Sequence, residues 1–212
     1  MKRGRRFYRK MKKVFQRIRL FLAVGKRILI LNFTGNEANW GCVGTCKGLV
    51  KMIRGVWPLA RIKKAPIRFY SEGEECPLPP SLDLIDSFLE SHINVIPEAK
   101  HIEWADYIIF NGEGSVHEWP TGVERPEPQM RLLEVYSANC YFSGKTVLAL
   151  NQSVEFESSD FAEWVTTCLS PCSYIAVREP RSLRRLQNIG LKNVKLLPDA
   201  AFLMDAVPNA LA

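Results

Sequence analysis

The sequence predicts an α/β fold, a Rossmann-like doubly wound parallel sheet, and three observations predict it. Short apolar runs of strand length alternate with stretches whose apolar residues recur at helical spacing. The runs lack the in-out alternation of a half-exposed sheet, as strands covered on both faces do. The chemically useful side chains gather where the runs end, the edge at which open α/β sheets hold ligands.

Arg27 to Phe33 (RILILNF) is the first strand. It enters a Gly- and Asn-rich loop, Thr34 to Thr45, ahead of a helix expected from about Val43 to Arg54. Strand, glycine loop and helix open a nucleotide- or phosphate-binding unit, though the loop matches neither G-x-G-x-x-G nor a P-loop. A tight turn needing small residues explains these glycines equally well. Pro66 to Ser71 (PIRFYS) is the expected second strand, and Ser81 the cap of a helix over Leu82, Ile85, Phe88 and Leu89. Tyr107 to Phe110 is a third strand, followed by Asn111-Gly112-Glu113-Gly114-Ser115-Val116-His117-Glu118. That loop sets a carboxylate, a hydroxyl and an imidazole among glycines, so Glu113, Ser115 and His117 are candidates and Gly112 and Gly114 would admit a ligand to the backbone.

A helix over Pro128 to Phe142 leads to the strand Lys145 to Leu150, with Asn151-Gln152-Ser153 after it. A helix over Phe161 to Leu169 precedes Ser173 to Met204, which is two strands around one helix. Tyr174 to Val177 is apolar, Pro180 suits a first helical turn, and Gly190 suits the position just past the end. Leu183, Leu186 and Ile189 form the buried stripe, with Arg184, Arg185 and Gln187 on the other face. Val194 to Leu197 is the last strand and breaks at Pro198-Asp199. Arg178 therefore stands where a strand stops and a helix N-terminus begins, and reads as an anion clamp or as an ion pair with Glu179.

The net charge of +7 is unevenly placed. Residues 1–27 hold twelve Lys or Arg and no acid, while residues 28–212 carry 17 basic and 22 acidic side chains. The body is mildly acidic, and the basic segment has an apolar stripe of Phe7, Met11, Val14, Phe15, Ile18, Phe21 and Leu22. A phosphate-binding arm needs no such stripe, so an anionic membrane surface fits residues 1–26 better than nucleic acid. No run approaches the ~18 apolar residues of a membrane span, and Leu20 to Val24 is too short for a signal-peptide core. Six cysteines without a secretory signal are expected to be reduced thiols in a cytoplasmic setting, with peripheral membrane contact through residues 1–26. Their C-x3-C spacings do not match structural zinc, and no metal site is expected. The expected organisation is an extension over residues 1–26, a Rossmann-like domain over 27–205 and a tail over 206–212.

Taken together, the Asn39 to Gly41 loop (N-W-G), N-G-E-G-S-V-H, the N-Q-S after a strand, V-R-E-x-R-S-L and D-A-A-F resemble the polysaccharide pyruvyl transferase family. The resemblance implies one half of a two-domain transferase of the GT-B type and transfer of a pyruvyl group from phosphoenolpyruvate to a sugar as a ketal. It implies His117 and Glu113 as catalytic groups. Arg178 would hold the donor's carboxylate or phosphate, with Arg181 adding charge or facing solvent. Asn39, Gln152 and Ser153 would orient sugar hydroxyls, with Gly41, Gly112, Gly114, Ser115 and Asp199 completing the substrate-binding set. Phosphoenolpyruvate would enter as donor substrate, with no cofactor. The partners implied are a glycan or lipid-linked sugar acceptor and a second domain or subunit. Cys42 stands where the family's first loop usually carries an acid, and the Arg/His pair of the family's second half is not present. A non-catalytic sugar- or nucleotide-sugar-binding domain, or another glycan-modifying transferase, is the alternative.

Overall fold

The computed structural model describes residues 25–35, 39–66, 78–114, 116–119, 126–142 and 144–204. The strands in chain order are β1 (Arg27–Phe33), β2 (Arg61–Pro66), β3 (Tyr107–Asn111), β4 (Val116–His117), β5 (Thr146–Gln152), β6 (Val154–Glu155), β7 (Tyr174–Val177) and β8 (Val194–Leu196). Six pair in parallel in the order β2-β1-β3-β5-β7-β8, and β4 and β6 make a separate parallel ladder. The helices are α1 (Trp40–Val56), α2 (Ile85–His92), α3 (Ala99–Trp104), α4 (Glu127–Tyr136), α5 (Ser159–Leu169) and α6 (Pro180–Asn188). This is the Rossmann-like, doubly wound arrangement that the alternating pattern predicts.

Both faces of the sheet are buried, which is why its central strands read as unbroken apolar runs. Leu29, Leu31, Ile108, Phe110, Val147 and Val177 pack with α2 to α6. Ile28, Ile30, Ile109 and Ala176 pack the other way, onto Cys46, Leu49 and Ile53 of α1 and Ala200. The second face thus has one long helix and a short 3-10 turn (Ala200–Leu203) as its cover. No helix among the described residues is long and apolar enough to cross a membrane.

Several elements differ from the sequence expectation, each for a physical reason. The second strand is RIKKAP rather than PIRFYS, whose residues 67–71 lie outside the described set. An edge strand has no need of a doubly apolar pattern, and β2 carries two adjacent lysines. Lys63 lies 4.6 Å over Trp104 and Lys64 4.7 Å over Phe33. Helix α1 begins at Trp40, earlier than expected, because Asn39 caps it. Ser81 makes no side-chain cap: it precedes a 3-10 turn (Leu82–Leu84) that α2 then continues. The short α3 was not foreseen, being too brief to show a period. Residues 1–24 and 205–212, including the amphipathic segment and tail, lie outside the described residues.

At the carboxyl ends of three adjacent strands stand three buried asparagines, Asn32, Asn111 and Asn151. Asn32 and Asn151 have φ of 56° and 55°, the left-handed region that asparagine tolerates better than most residues. Both fall where strand register shifts, so each bulge re-aims the side chains after it. Asn32 Nδ2 donates to the Asn111 carbonyl at 2.5 Å, Asn151 Nδ2 donates to Asn111 Oδ1 at 3.3 Å, and Asn151 Oδ1 accepts from Ala200 N at 3.1 Å. The network fixes the backbone from which the loops of the site depart.

Candidate functional site

The strand order reverses between β1 and β3, and this switch point is where an open α/β sheet offers a crevice. Thr34 after β1 and Glu113 after β3 meet there: Thr34 Oγ1 donates to the Glu113 carboxylate, which also accepts from Asn111 Nδ2 at 3.3 Å. Glu113 therefore spans the crevice rather than facing open water. Cys46 Sγ lies 3.4 Å from Thr34 Oγ1. Burial pushes the Cys42 thiol up, and the nearby Glu113 carboxylate pushes it further, so it is a neutral thiol at ordinary pH. Among the described residues no group of three or more His, Cys, Asp or Glu is placed to hold a metal.

A second opening lies past the carboxyl ends of β5 and β7. A cavity of about 960 Å³ is walled by the β4–β6 ladder and the start of α6. His117, Glu118, Trp119, Ser153, Glu179 and Arg181 are among its lining residues, and Gly114 reaches it too. Gly114 has φ of 73°, which turns its carbonyl onto His117 Nδ1 at 2.6 Å. That carbonyl can only accept, so Nδ1 carries the proton and neutral His117 keeps a basic Nε2. The ring is braced edge-on by Trp119, with centroids 4.7 Å apart. Glu118 accepts from the backbone N–H groups of Glu157 and Ser158 at 2.7 and 2.9 Å, tying the two halves of the wall together.

Arg178 sits one layer behind the cavity. Its Nη1 donates to Asp199 Oδ2 at 2.7 Å and its Nε to Ser153 Oγ at 2.6 Å, and Ser153 in turn donates to Glu179 Oε1 at 2.7 Å. Glu179 Oε1 also lies 3.3 Å from Arg178 Nε. Of the two readings of Arg178, the ion pair with Glu179 is present, joined by a second one to Asp199. It reaches the cavity through Ser153 and Glu179, which line it. Asp199 accepts from Ala201 N at 2.8 Å and Thr45 Oγ1 at 2.9 Å, capping the turn over Ala200–Leu203.

Burial raises the Asp199 pKa, but the Ala201 N–H, Arg178 and Thr45 outweigh it, and the net shift is downward. A depressed carboxylate stabilises the fold above its unfolded value of about 3.9 and loses that contribution as pH falls through the folded value. The stability gap between wild type and Asp199→Asn should be full above about pH 5 and shrink in acid, where wild-type Asp199 also becomes neutral. Urea unfolding across that range reads it, and a gap independent of pH would remove the assignment.

The remaining residues singled out in the sequence are placed as follows. Asn39 Oδ1 accepts from Gly41 N at 2.8 Å, so this pair starts α1, exposed at the rim rather than in the cavity. Gln152 is fully buried, its Nε2 donating to the Phe110 and Leu150 carbonyls at 3.1 Å, so it does not face a sugar. A Cβ at Gly112 would lie 1.9 Å from Gln152 Oε1, which gives that glycine a packing reason. Gly112→Ala is expected to destabilise by roughly 1–2 kcal/mol, and adding Gln152→Ala should recover part of it in a double-mutant cycle. Strict additivity would mean that the two do not press on each other. Ser115 lies outside the described residues.

Arg181 lines the cavity and pairs with Glu155 at 3.0 Å while staying largely exposed. Arg185, on the helix face opposite the apolar stripe, is half-buried in the wall. It donates to the Val154 carbonyl at 3.2 Å, with its guanidinium 5.3 Å over the Phe156 ring. Its spacing of four from Arg181 places both on one helix face, a signal that was available. Trp119 gave no signal, because its position depends on the two-residue strand β4 meeting β6.

The family model for polysaccharide pyruvyl transferase matches residues 46–211. Comparison with curated proteins returned no match.

Proposed function

The chain belongs to the polysaccharide pyruvyl transferase family, and we propose that it transfers a pyruvyl group from phosphoenolpyruvate to a pair of sugar hydroxyls as a ketal. The observation that carries the reading is a histidine, held through Nδ1 by the Gly114 carbonyl, on a large cavity at the carboxyl ends of the strands, in a chain of this family. A proton goes to the methylene carbon of the enol phosphate, one hydroxyl attacks the cationic carbon, phosphate departs, and the second hydroxyl closes the ring. One hydroxyl proton ends on the new methyl group and the other leaves with phosphate, so the sum is donor plus diol giving ketal plus phosphate.

His117 suits both proton movements. Its imidazolium delivers a proton from Nε2 to the methylene carbon, and the neutral ring then takes one from the attacking hydroxyl. The Gly114 carbonyl holds the ring in place through either state, since Nδ1 stays protonated throughout. Arg181 and Arg185, on the α6 wall, supply cationic groups for the donor's carboxylate and phosphate, with the free N–H groups of the helix start beside them. Arg178 acts from behind, holding Ser153 and Glu179 in position.

The deciding measurement is phosphate release from phosphoenolpyruvate by the purified protein, with and without a glycan acceptor. Acceptor-dependent release supports the reading. Saturable glycan binding with no release would overturn it in favour of a sugar-binding module.

A further inference from the structure

Positive charge and exposed apolar surface coincide on one side of the sheet. Residues 1–66 carry 18 Lys or Arg and a single acid, Glu37, while residues 67–212 carry 11 basic and 21 acidic side chains. So steep a split within one chain points to a polyanionic partner for the basic part. Residues 40–66 hold no acid at all, and α1 presents Lys47, Lys51 and Arg54 at i, i+4 and i+7, all three exposed. We infer that the outer face of α1, with residues 56–60 and the turn Ala200–Leu203 beside it, is a docking surface for an anionic lipid bilayer. The folded body itself, and not the basic segment 1–26 alone, meets the lipid. The inference does not rest on the transferase reading.

The apolar residues are the first argument. Trp40, Val56, Leu59, Leu197, Phe202 and Leu203 are all exposed, Trp40 and Phe202 to 83%. Each belongs to α1, to the turn that follows it, or to the segment after β8 that lies on α1. RNA gains little from aliphatic side chains held in water. A bilayer takes them into its interface while the cations around them meet the headgroups. An open recess of about 330 Å³ lies between α1 and this segment, and Leu49, Met52, Leu150, Leu197, Phe202 and Leu203 make most of its wall. Such a wall suits hydrocarbon rather than phosphate.

Placement is the second argument. Arg54 Nη1 donates to the carbonyls of Pro58 and Ala60 at 2.9 and 2.6 Å, which fixes the turn carrying Val56 and Leu59 and keeps a cation beside them. Trp57 packs 4.7 Å from the Tyr107 ring, and Lys26 Nζ stands 5.4 Å over that same ring. The basic segment therefore joins the body at this turn, and its charge is continuous with that of α1. The acids that reach α1 are engaged, Glu113 by Thr34 and Asn111, and Asp199 by Arg178 and Thr45. The large cavity lies against α6, which packs on the opposite face of the sheet from α1. A chain seated through α1 leaves that cavity clear of the lipid.

The test sediments the full 212-residue chain with phosphatidylcholine vesicles that contain or lack phosphatidylglycerol. Partitioning should be at least about tenfold stronger with the anionic lipid and should fall as salt is added. Lys47→Glu with Lys51→Glu should weaken it by about tenfold. The same charge change on the other face, Arg184→Glu with Lys192→Glu, should have a much smaller effect. Phe202→Ser, at an exposed position that folding does not depend on, should weaken it by about fivefold. Hydrogen exchange with anionic vesicles present should slow at residues 56–60 and 200–204 and stay unchanged at 116–119 and 153–158, which border the cavity. Equal partitioning to neutral vesicles, or equal loss from the two charge-reversed pairs, would overturn the inference. So would slowed exchange confined to residues 1–24, because the segment would then tether a body that never touches lipid. Displacement of the vesicles by RNA, with the same variants losing RNA binding, would make the surface a nucleic-acid site instead.

Discussion

Replacing His117 by alanine is expected to lower kcat for acceptor-dependent phosphate release by about 10²–10⁴-fold, the usual contribution of a positioned acid-base group. The KM for donor should change little, since the imidazole moves protons and does not clamp the anion. The variant also removes the Nδ1 bond to Gly114 and the ring against Trp119, so a drop in rate alone would be ambiguous. His117→Asn separates the two. Its amide can still donate to the Gly114 carbonyl but has no titrating nitrogen, so it should restore thermal stability and not rate. Recovery of rate along with stability would make His117 a structural pin. Glu113→Gln provides the contrast: Glu113 is engaged at the switch point by Thr34 and Asn111, and does not line the cavity. Its replacement should cost much less.

The fold was legible because central strands of a parallel sheet are buried on both faces and say so in unbroken apolar runs, as RILILNF and YIIF do. β2 escaped because an edge strand needs no doubly apolar run, and its two lysines lie over aromatic rings rather than in a core. The site was legible in outline, since residues at strand ends gather at one edge whatever their identity. What the sequence left open was which of them lines the cavity. Gln152 and Ser153 are adjacent, yet a register shift at Asn151 buries the first and leaves the second on the cavity. No local pattern announces that. Arg185 and Trp119 depend likewise on the β4–β6 ladder, a pairing between segments far apart in the chain and too short to have a period.

The glycines of α1 carry the last expectation, and they reverse a general rule. Within a helix, Gly→Ala ordinarily stabilises by up to about 1 kcal/mol, because glycine has more freedom to lose. A Cβ at Gly55, near the end of α1, would meet nothing within 4 Å, and Gly55→Ala should follow the rule. Gly48 cannot. A Cβ there would lie 1.8 Å from the carbonyl oxygen and 2.4 Å from the carbonyl carbon of Ala200, which are backbone atoms with no rotamer to give. One turn earlier, a Cβ at Gly44 would come within 3.2 Å of Met204 Sδ. These glycines, read from sequence as part of a ligand loop and its helix, form the face on which the turn after β8 lies flat. Gly48→Ala is expected to destabilise by roughly 3 kcal/mol, the upper end for overpacking, against a gain at Gly55 in parallel urea unfolding. The effect should reach the site as well. The same contact brings Thr45 to Asp199, Asp199 holds Arg178, and Arg178 holds Ser153 and Glu179 on the cavity wall. Lifting the turn off α1 should therefore weaken glycan binding at a residue that touches no glycan. If Gly48→Ala unfolds no more readily than Gly55→Ala, the tight docking of the turn is wrong, and with it the placement of Asp199 behind the wall.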